Sequence, residues 1–185
     1  MLTGSLLRFS RFRSLRPNTA FLWLVLAVAA VTIVTIRQAL YGTKPGLTIS
    51  GHARIVDGDS LVVSGVEIRL FGIDAPELFQ RCTRDGREVR CGRESARSLI
   101  ALAAGQPLSC ERRDNDRFGR TVAICRVEDV DLGRAQVVAG HAVAYGAYYQ
   151  DEAAARAARR GLWAGEFVRP REWRDRHRPG ASPES

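Results

Sequence analysis

Lysine is almost missing from this chain: Lys44 stands alone among 28 basic residues, and arginine supplies the rest. Cysteine occurs only four times with no C-x-x-C pair, and the three histidines, His52, His141 and His177, are scattered. That spacing argues against a zinc site, which needs clustered thiolate and imidazole ligands. No internal repeat is present, and 185 residues leave no room for two large domains. Acidic residues are absent from positions 1 to 50, which hold six basic ones, leaving 22 basic against 20 acidic beyond. Most of the net charge of +8 is therefore a topology signal, and bulk basicity says little about nucleic acid.

What is present begins with an apolar run. Thr19 to Ile36 is 18 residues without a charge, about the length of roughly 17 that a spanning helix needs. It reads as a transmembrane helix. Arg8, Arg11, Arg13 and Arg16 precede it while only Arg37 and Lys44 follow closely, which keeps residues 1 to 18 cytoplasmic and places the rest outside. A cleaved signal peptide has the same basic-then-apolar form. The run exceeds the usual apolar core of about 7 to 15 residues, and no small-x-small site follows Ile36, so retention is expected. In a bacterial cell with an inner membrane the domain is then periplasmic. Residues 37 to 50, with Gly42, Pro45 and Gly46, read as a linker.

All four cysteines fall in the part expected outside the membrane, where disulfides persist. Cys110 and Cys125 sit symmetrically about the turn-like segment Asp114 to Gly119, as cross-strand partners of one hairpin would. Cys82 and Cys91 are left to close a loop of their own.

Short β-branched runs at Arg54 to Val56, Ser60 to Val63 and Val66 to Phe71 read as strands, the last two joined by the turn Ser64-Gly65. Arg69 alternates away from the aliphatic row Val66, Ile68 and Leu70. From Arg93 to Ala104 the apolar residues Ala96, Leu99, Ile100 and Ala103 recur at helical spacing, with Gly105 as the stop. Two strands follow, Pro107 to Arg112 and Arg120 to Val127. Helices are then expected at Leu132 to Ala139, capped by Asp131, and at Glu152 to Arg160, capped by Asp151. Five short strands and about three helices suggest a small, mainly β, oligonucleotide-binding (OB-fold) barrel over residues 51 to 168. The arginine-rich tail, 169 to 185, reads as partly disordered.

Three polar clusters carry the chemistry: D-G-D-S at 57 to 60, R-L-F-G-I-D-A-P-E at 69 to 77, and D-R-F-G-R at 116 to 120. Asp59 and Asp74 each sit where a strand meets a turn and can ligate a hard cation if the fold joins those ends. Pro76 biases Ala75 towards an extended conformation, which can aim its carbonyl at such an ion. Glu77 is then free to take a proton from an attacking water. Arg69 and Arg120 supply forked donors that match phosphate oxygens. Singly, each cluster also reads as an ordinary turn or a solvated strand face. Their joint presence, in this order, on a small β domain points to phosphodiester cleavage.

These segments resemble the staphylococcal nuclease-like, or thermonuclease, family over about residues 51 to 163. The resemblance implies Arg69, Glu77 and Arg120 as the catalytic trio, and Asp59, Asp74 and the backbone carbonyl of Ala75 as calcium ligands, with Asp57 nearby. It implies a five-stranded OB-fold barrel with three helices, and a calcium-dependent enzyme that cleaves DNA and RNA with little sequence preference, leaving 3′-phosphates. Ala75 stands where the family has threonine, and Phe118 where tyrosine is frequent. The family's lysine-rich loop is replaced by Cys82 to Cys91, where Arg81, Arg84, Arg87 and Arg90 either meet substrate or decorate a disulfide-closed surface loop. Of Tyr145, Tyr148 and Tyr149, Tyr145 is the expected base-stacking contact. Single-stranded DNA or RNA is the expected substrate and a monomer the expected state. The competing reading is a non-catalytic barrel that binds nucleic acid or a protein partner.

Overall fold

The computed structural model describes residues 23–33 and 46–178. Met1–Lys44 and Pro45–Ser185 form separate compact units. In the first, 23–33 is helical; the remainder of the expected spanning segment, 19–22 and 34–36, lies outside the described residues. Among the described residues no helix is long and apolar enough to cross a membrane.

The second unit is built on a closed barrel. Its strands are β1 (Thr48–Ile55), β2 (Ser60–Val63), β3 (Val66–Leu70), β7 (Pro107–Asn115) and β8 (Thr121–Val127). Antiparallel pairing runs in the order β3, β2, β1, β7, β8, a parallel β3–β8 ladder closes the ring, and the two-residue strand β9 (Val130–Asp131) pairs with the end of β8. Closure removes the open edges that a five-stranded sheet would otherwise expose. The turn between β2 and β3 has positive φ at both Ser64 and Gly65, 49° and 79°, the backbone twist that suits a two-residue hairpin.

Strand β1 starts six residues before the expected Arg54. Residues 48 to 52 (TISGH) have the polar and glycine content of a linker, yet Thr48 to His52 pair with Glu111 to Pro107 across β7. Long-range pairing overrides weak local preference there. Likewise β7 runs on to Asn115, past the expected Arg112, through a register shift between Arg112 and Asp114.

Leu61, Val63, Ile68, Leu70, Leu108 and Ala123 fill the barrel, each 2% exposed or less. Burying a side chain of this size stabilises by about 1.5–3 kcal/mol. Helix α1 (Cys91–Ala103) buries Ser95, Ala96, Leu99 and Ala103, and Leu99 and Ala103 join the core cluster of the barrel. Ile100, expected on that face, is 55% exposed. The buried stripe is rotated towards Ser95, whose hydroxyl donates to the His141 carbonyl at 2.7 Å.

Helices α2 (Leu132–Val138) and α3 (Tyr149–Ala157) pack against each other. Asp131 caps α2 as expected, accepting from the Arg134 amide at 3.1 Å. Helix α3 begins at Tyr149 rather than Glu152, with Tyr148 as the preceding residue in the left-handed region, so Asp151 lies in the first turn instead of capping it.

Both expected disulfides are present, Cys110–Cys125 across the β7–β8 hairpin and Cys82–Cys91. The Cys82–Cys91 segment also contains a small hairpin of β5 (Cys82–Arg84) and β6 (Arg87–Val89), which its many arginines concealed. Leu162, Trp163 and Phe167 pack around this disulfide, and Thr83 pairs with Glu166 through backbone hydrogen bonds in both directions. The chain is thus guided from the barrel to a last helix, α4 (Pro170–Arg176). Residues 169 to 176, expected to be partly disordered, are therefore ordered. Pro170 at the first helical position starts the helix; residues 179–185 lie outside the described residues.

Candidate active site

The D-G-D-S turn links β1 to β2, and its conformation is set by its own side chains. Asp57 Oδ1 accepts from the Asp59 amide at 3.0 Å, and Ser60 Oγ donates to Asp59 Oδ1 at 2.9 Å. Asp59 Oδ2 accepts from the Ala75 amide at 2.8 Å, which fastens this turn to the D-A-P-E loop. From the other side Gln136 of α2, fully buried, donates to the carbonyls of Gly58 and Ser95 at 2.9 and 3.0 Å.

Asp74 ends the two-residue strand β4 (Ile73–Asp74), which pairs with β10 (Val143–Ala144). That pairing brings Tyr145 alongside, its amide donating to the Gly72 carbonyl at 2.8 Å. The loop holding Glu77 lies against the start of α1 so closely that a Cβ at Gly92 would stand 1.8 Å from the Glu77 carbonyl oxygen. Only glycine fits there. Gln80 is a second fastening: its Oε1 accepts from the Glu77 amide at 3.3 Å while its Nε2 donates to the Val168 carbonyl at 2.7 Å.

Asp59 and Asp74, 3% and 4% exposed, converge on one cationic nitrogen. Arg69 Nη2 donates to Asp59 Oδ2 at 3.0 Å and to Asp74 Oδ1 at 2.7 Å. Burial, then the neighbouring Asp59 carboxylate, push the Asp57 carboxyl up to about 6 from an ordinary 3.8. The same two causes raise Asp74, against the pull of Arg174 and Arg69.

These features fit a hard cation. The Arg69 nitrogen stands between two buried carboxylates as a positive stand-in, and a divalent ion there would offset the burial cost, and then the Asp59 repulsion, that raise Asp57 and Asp74. Among the described residues no three His, Cys, Asp or Glu side chains group to hold a metal alone. Backbone and water oxygens would have to complete the shell, which calcium accepts. Asp59 and Asp74 supply the carboxylates, and the backbone at Ala75 is already at the site.

A cleft of about 960 Å³ opens beside this pair, lined by Arg69, Asp74, Glu77, Phe118, Arg120 and Tyr145 among others. Arg120 reaches it from the end of the β7–β8 hairpin, its Nε held by Asp116 Oδ2 at 2.8 Å. Phe118, 70% exposed, lies under the Arg117 and Arg120 guanidinia at 4.8 and 5.7 Å. Among the three tyrosines the structure separates roles. Tyr145 is 60% exposed in the cleft, whereas Tyr148 donates to Asp131 at 2.8 Å and the Tyr149 hydroxyl accepts from the Gly146 amide at 2.9 Å.

The arginines of the Cys82–Cys91 segment do not line this cleft. Arg84 pairs with Glu94 at 2.8 Å and Arg81 pairs with Glu88, so both are engaged within the protein. Arg174, by contrast, was not expected. From α4 its Nη1 reaches Asp74 Oδ1 and Glu77 Oε1, each at 2.9 Å, and its Nη2 donates to Asp74 Oδ2 at 3.1 Å. Burial works to lower its affinity for the proton, and Asp74 and Glu77 overcome this to hold it above its ordinary value. The tail's arginines, together with Trp173, were the available signal; nothing local tied any one of them to Asp74.

Residues 67–165 match the family described as Staphylococcal nuclease homologue. The chain belongs to that family. It is 41% identical over 98 residues to the succinoglycan biosynthesis protein ExoI of Rhizobium meliloti, covering 51% of each chain. It is 31% identical over 154 residues to a protein of rice, Oryza sativa subsp. japonica, named as a staphylococcal-like nuclease, covering 78% of this chain and 44% of the relative. A Haemophilus influenzae protein named as an uncharacterized endonuclease is 27% identical over 162 residues, covering 81% of this chain and 84% of the relative. The chain spans about half the length of the Rhizobium relative and less than half of the rice one. The matched stretch contains Arg69, Asp74, Ala75, Glu77, Arg120 and Tyr145; Asp59 precedes it.

Proposed function

We propose that this chain is a calcium-dependent nuclease that hydrolyses single-stranded DNA or RNA with little sequence preference. The observation that carries this reading is the Arg69 nitrogen bridging Asp59 and Asp74 at the wall of a cleft that also holds Glu77 and Arg120. Family membership and relatives named as nucleases support it.

In the proposed reaction the phosphodiester enters the cleft and accepts from Arg69 and Arg120, whose planar donors match its oxygens. Calcium, held by Asp59, Asp74 and the Ala75 carbonyl, would add positive charge beside that phosphate. Glu77 takes a proton from water as its oxygen bonds to phosphorus, the bond to the 5′ oxygen breaks, and that oxygen takes a proton from solvent. The two guanidinia hold the charge that accumulates on the equatorial oxygens. A 3′-phosphate remains. Tyr145 offers a ring face to a neighbouring base.

We further propose that the domain is exported and works as a monomer tethered through 19 to 36. The charge asymmetry around that apolar segment supports this placement.

The test uses the full chain with single-stranded DNA in calcium and then in chelator. Cleavage in calcium alone that disappears in Arg69→Ala and Glu77→Gln is expected. Intact DNA that is nevertheless bound would instead make the chain a nucleic-acid-binding module.

A further inference from the structure

Arg174 has a place in the site that the reaction above does not use. Its guanidinium covers both oxygens of Asp74 and one of Glu77, at 2.9 to 3.1 Å, and its side chain is only 32% exposed. This is no random contact of a loose tail. Gln80 ties the segment just before α4 to the Glu77 loop, Thr83 pairs with Glu166, and Arg169 pairs with Glu152 at 3.4 Å. Arg171, Trp173, His177 and Arg178 of the same segment line the same cleft, with the Trp173 and His177 rings stacked 4.0 Å apart.

The contacts of Arg174 conflict with cation binding. Asp74 Oδ1 accepts from Arg69 at 2.7 Å and lies 2.9 Å from Arg174 Nη1 as an ion pair, and Oδ2 accepts from Arg174 Nη2 at 3.1 Å. Oδ2 keeps a lone pair open, but a divalent ion that takes it stands beside two guanidinium charges, and that repulsion favours release of Arg174. Once displaced, a guanidinium on a helix lining the cleft needs another anion. The phosphate engaged by Arg69 is the nearest one, since Arg69 and Arg174 already meet on a single oxygen atom.

We propose that Arg174 is a third phosphate-binding arginine of this site, carried on the C-terminal helix and parked on Asp74 and Glu77 until cation and substrate arrive. The proposal rests on reading the cleft as a phosphodiester site. It assigns α4 as a wall of the substrate site, and it makes Arg174 a competitor of the cation in the absence of nucleotide and a ligand of the phosphate in its presence.

Two binding equilibria test this without cleavage, in the full chain held in detergent micelles. Calorimetry measures calcium alone, and then a nucleoside 3′-monophosphate in saturating calcium, which this reaction cannot hydrolyse further. In Arg174→Ala, calcium is expected to bind about tenfold more tightly and the nucleotide about tenfold more weakly. Arg174→Lys should recover part of the nucleotide affinity, because it keeps the charge and loses the fork. Arg176→Ala, on the exposed side of the helix and paired with Glu172, should move neither. A purely structural role would weaken both ligands together. Calcium affinity equal to or weaker than the parent's, or nucleotide affinity equal to the parent's, overturns the proposal. If no polynucleotide is ever cleaved but the two affinities move in opposite directions, the nuclease reading fails and the assignment of Arg174 stands.

Discussion

Gln136 donates to the Gly58 carbonyl at 2.9 Å from 78 residues further along the chain, in the same side-chain amide that also serves Ser95. One buried amide thereby holds the D-G-D turn against two helices. Its neighbours Leu132 and Val137 are fully buried apolar residues, so the amide sits in low dielectric where an unmade hydrogen bond is costly.

Gln136→Leu should therefore destabilise the protein by about 1–3 kcal/mol, since it leaves the Gly58 and Ser95 carbonyls without this donor. Calcium affinity should fall with it, because Asp59 adjoins the loosened turn. Urea unfolding and calcium calorimetry on the same variant check both; a variant of unchanged stability would mean that water replaces the amide.

Glu77→Gln should leave folding nearly intact and lower cleavage by about 10²–10⁴-fold, the range for losing a positioned general base. Asp59→Ala should abolish calcium dependence. Its Oδ2 accepts from both the Ala75 amide and Arg69, so the loop and the arginine lose their shared anchor. Steady-state rates across a calcium titration distinguish the two variants: the first keeps calcium binding, the second does not.

Cys110 and Cys125 are both fully buried and close a loop of 15 residues across β7 and β8. Replacing both by alanine should cost about 3 kcal/mol, the chain-entropy expectation for a loop of that length. The comparison is a denaturant midpoint in each form under oxidising conditions. A smaller loss would show that the ladder between the strands already restrains the unfolded chain.

Tyr148 should set an alkaline limit. Burial first, then its hydrogen bond to Asp131 and that carboxylate's charge, raise its hydroxyl well above 10. The folded form therefore keeps a proton that the unfolded chain releases near its ordinary value of about 10. The contribution is complete below pH 10 and is lost progressively as pH rises above it. Tyr148→Phe should unfold with a flatter stability profile above pH 10, followed by circular dichroism.

Local pattern determined much of this protein. Alternation of apolar residues placed Ile68 and Leu70 inside and Arg69 on the opposite face, and the barrel uses them so. The symmetric spacing of Cys110 and Cys125 about one turn specified a cross-strand pair, since hairpin register follows from turn position. Asp131 was readable as a helix cap because a cap bonds within its own first turn. The three polar clusters were readable as one kit because each lies at a strand end, which in a closed barrel can converge. Tertiary structure decided the rest. Residues 48 to 52 became strand only because β7 offered partners, and Ile100 was left in solvent because the α1 stripe turned towards Ser95. Gln136 and Arg174 reach the site from 78 and 100 residues away, through contacts with no local signature. Side-chain periodicity encodes which face a residue occupies over a few positions; which distant arginine meets Asp74 depends on how Gln80, Thr83 and the Cys82–Cys91 cluster steer the chain back across the barrel.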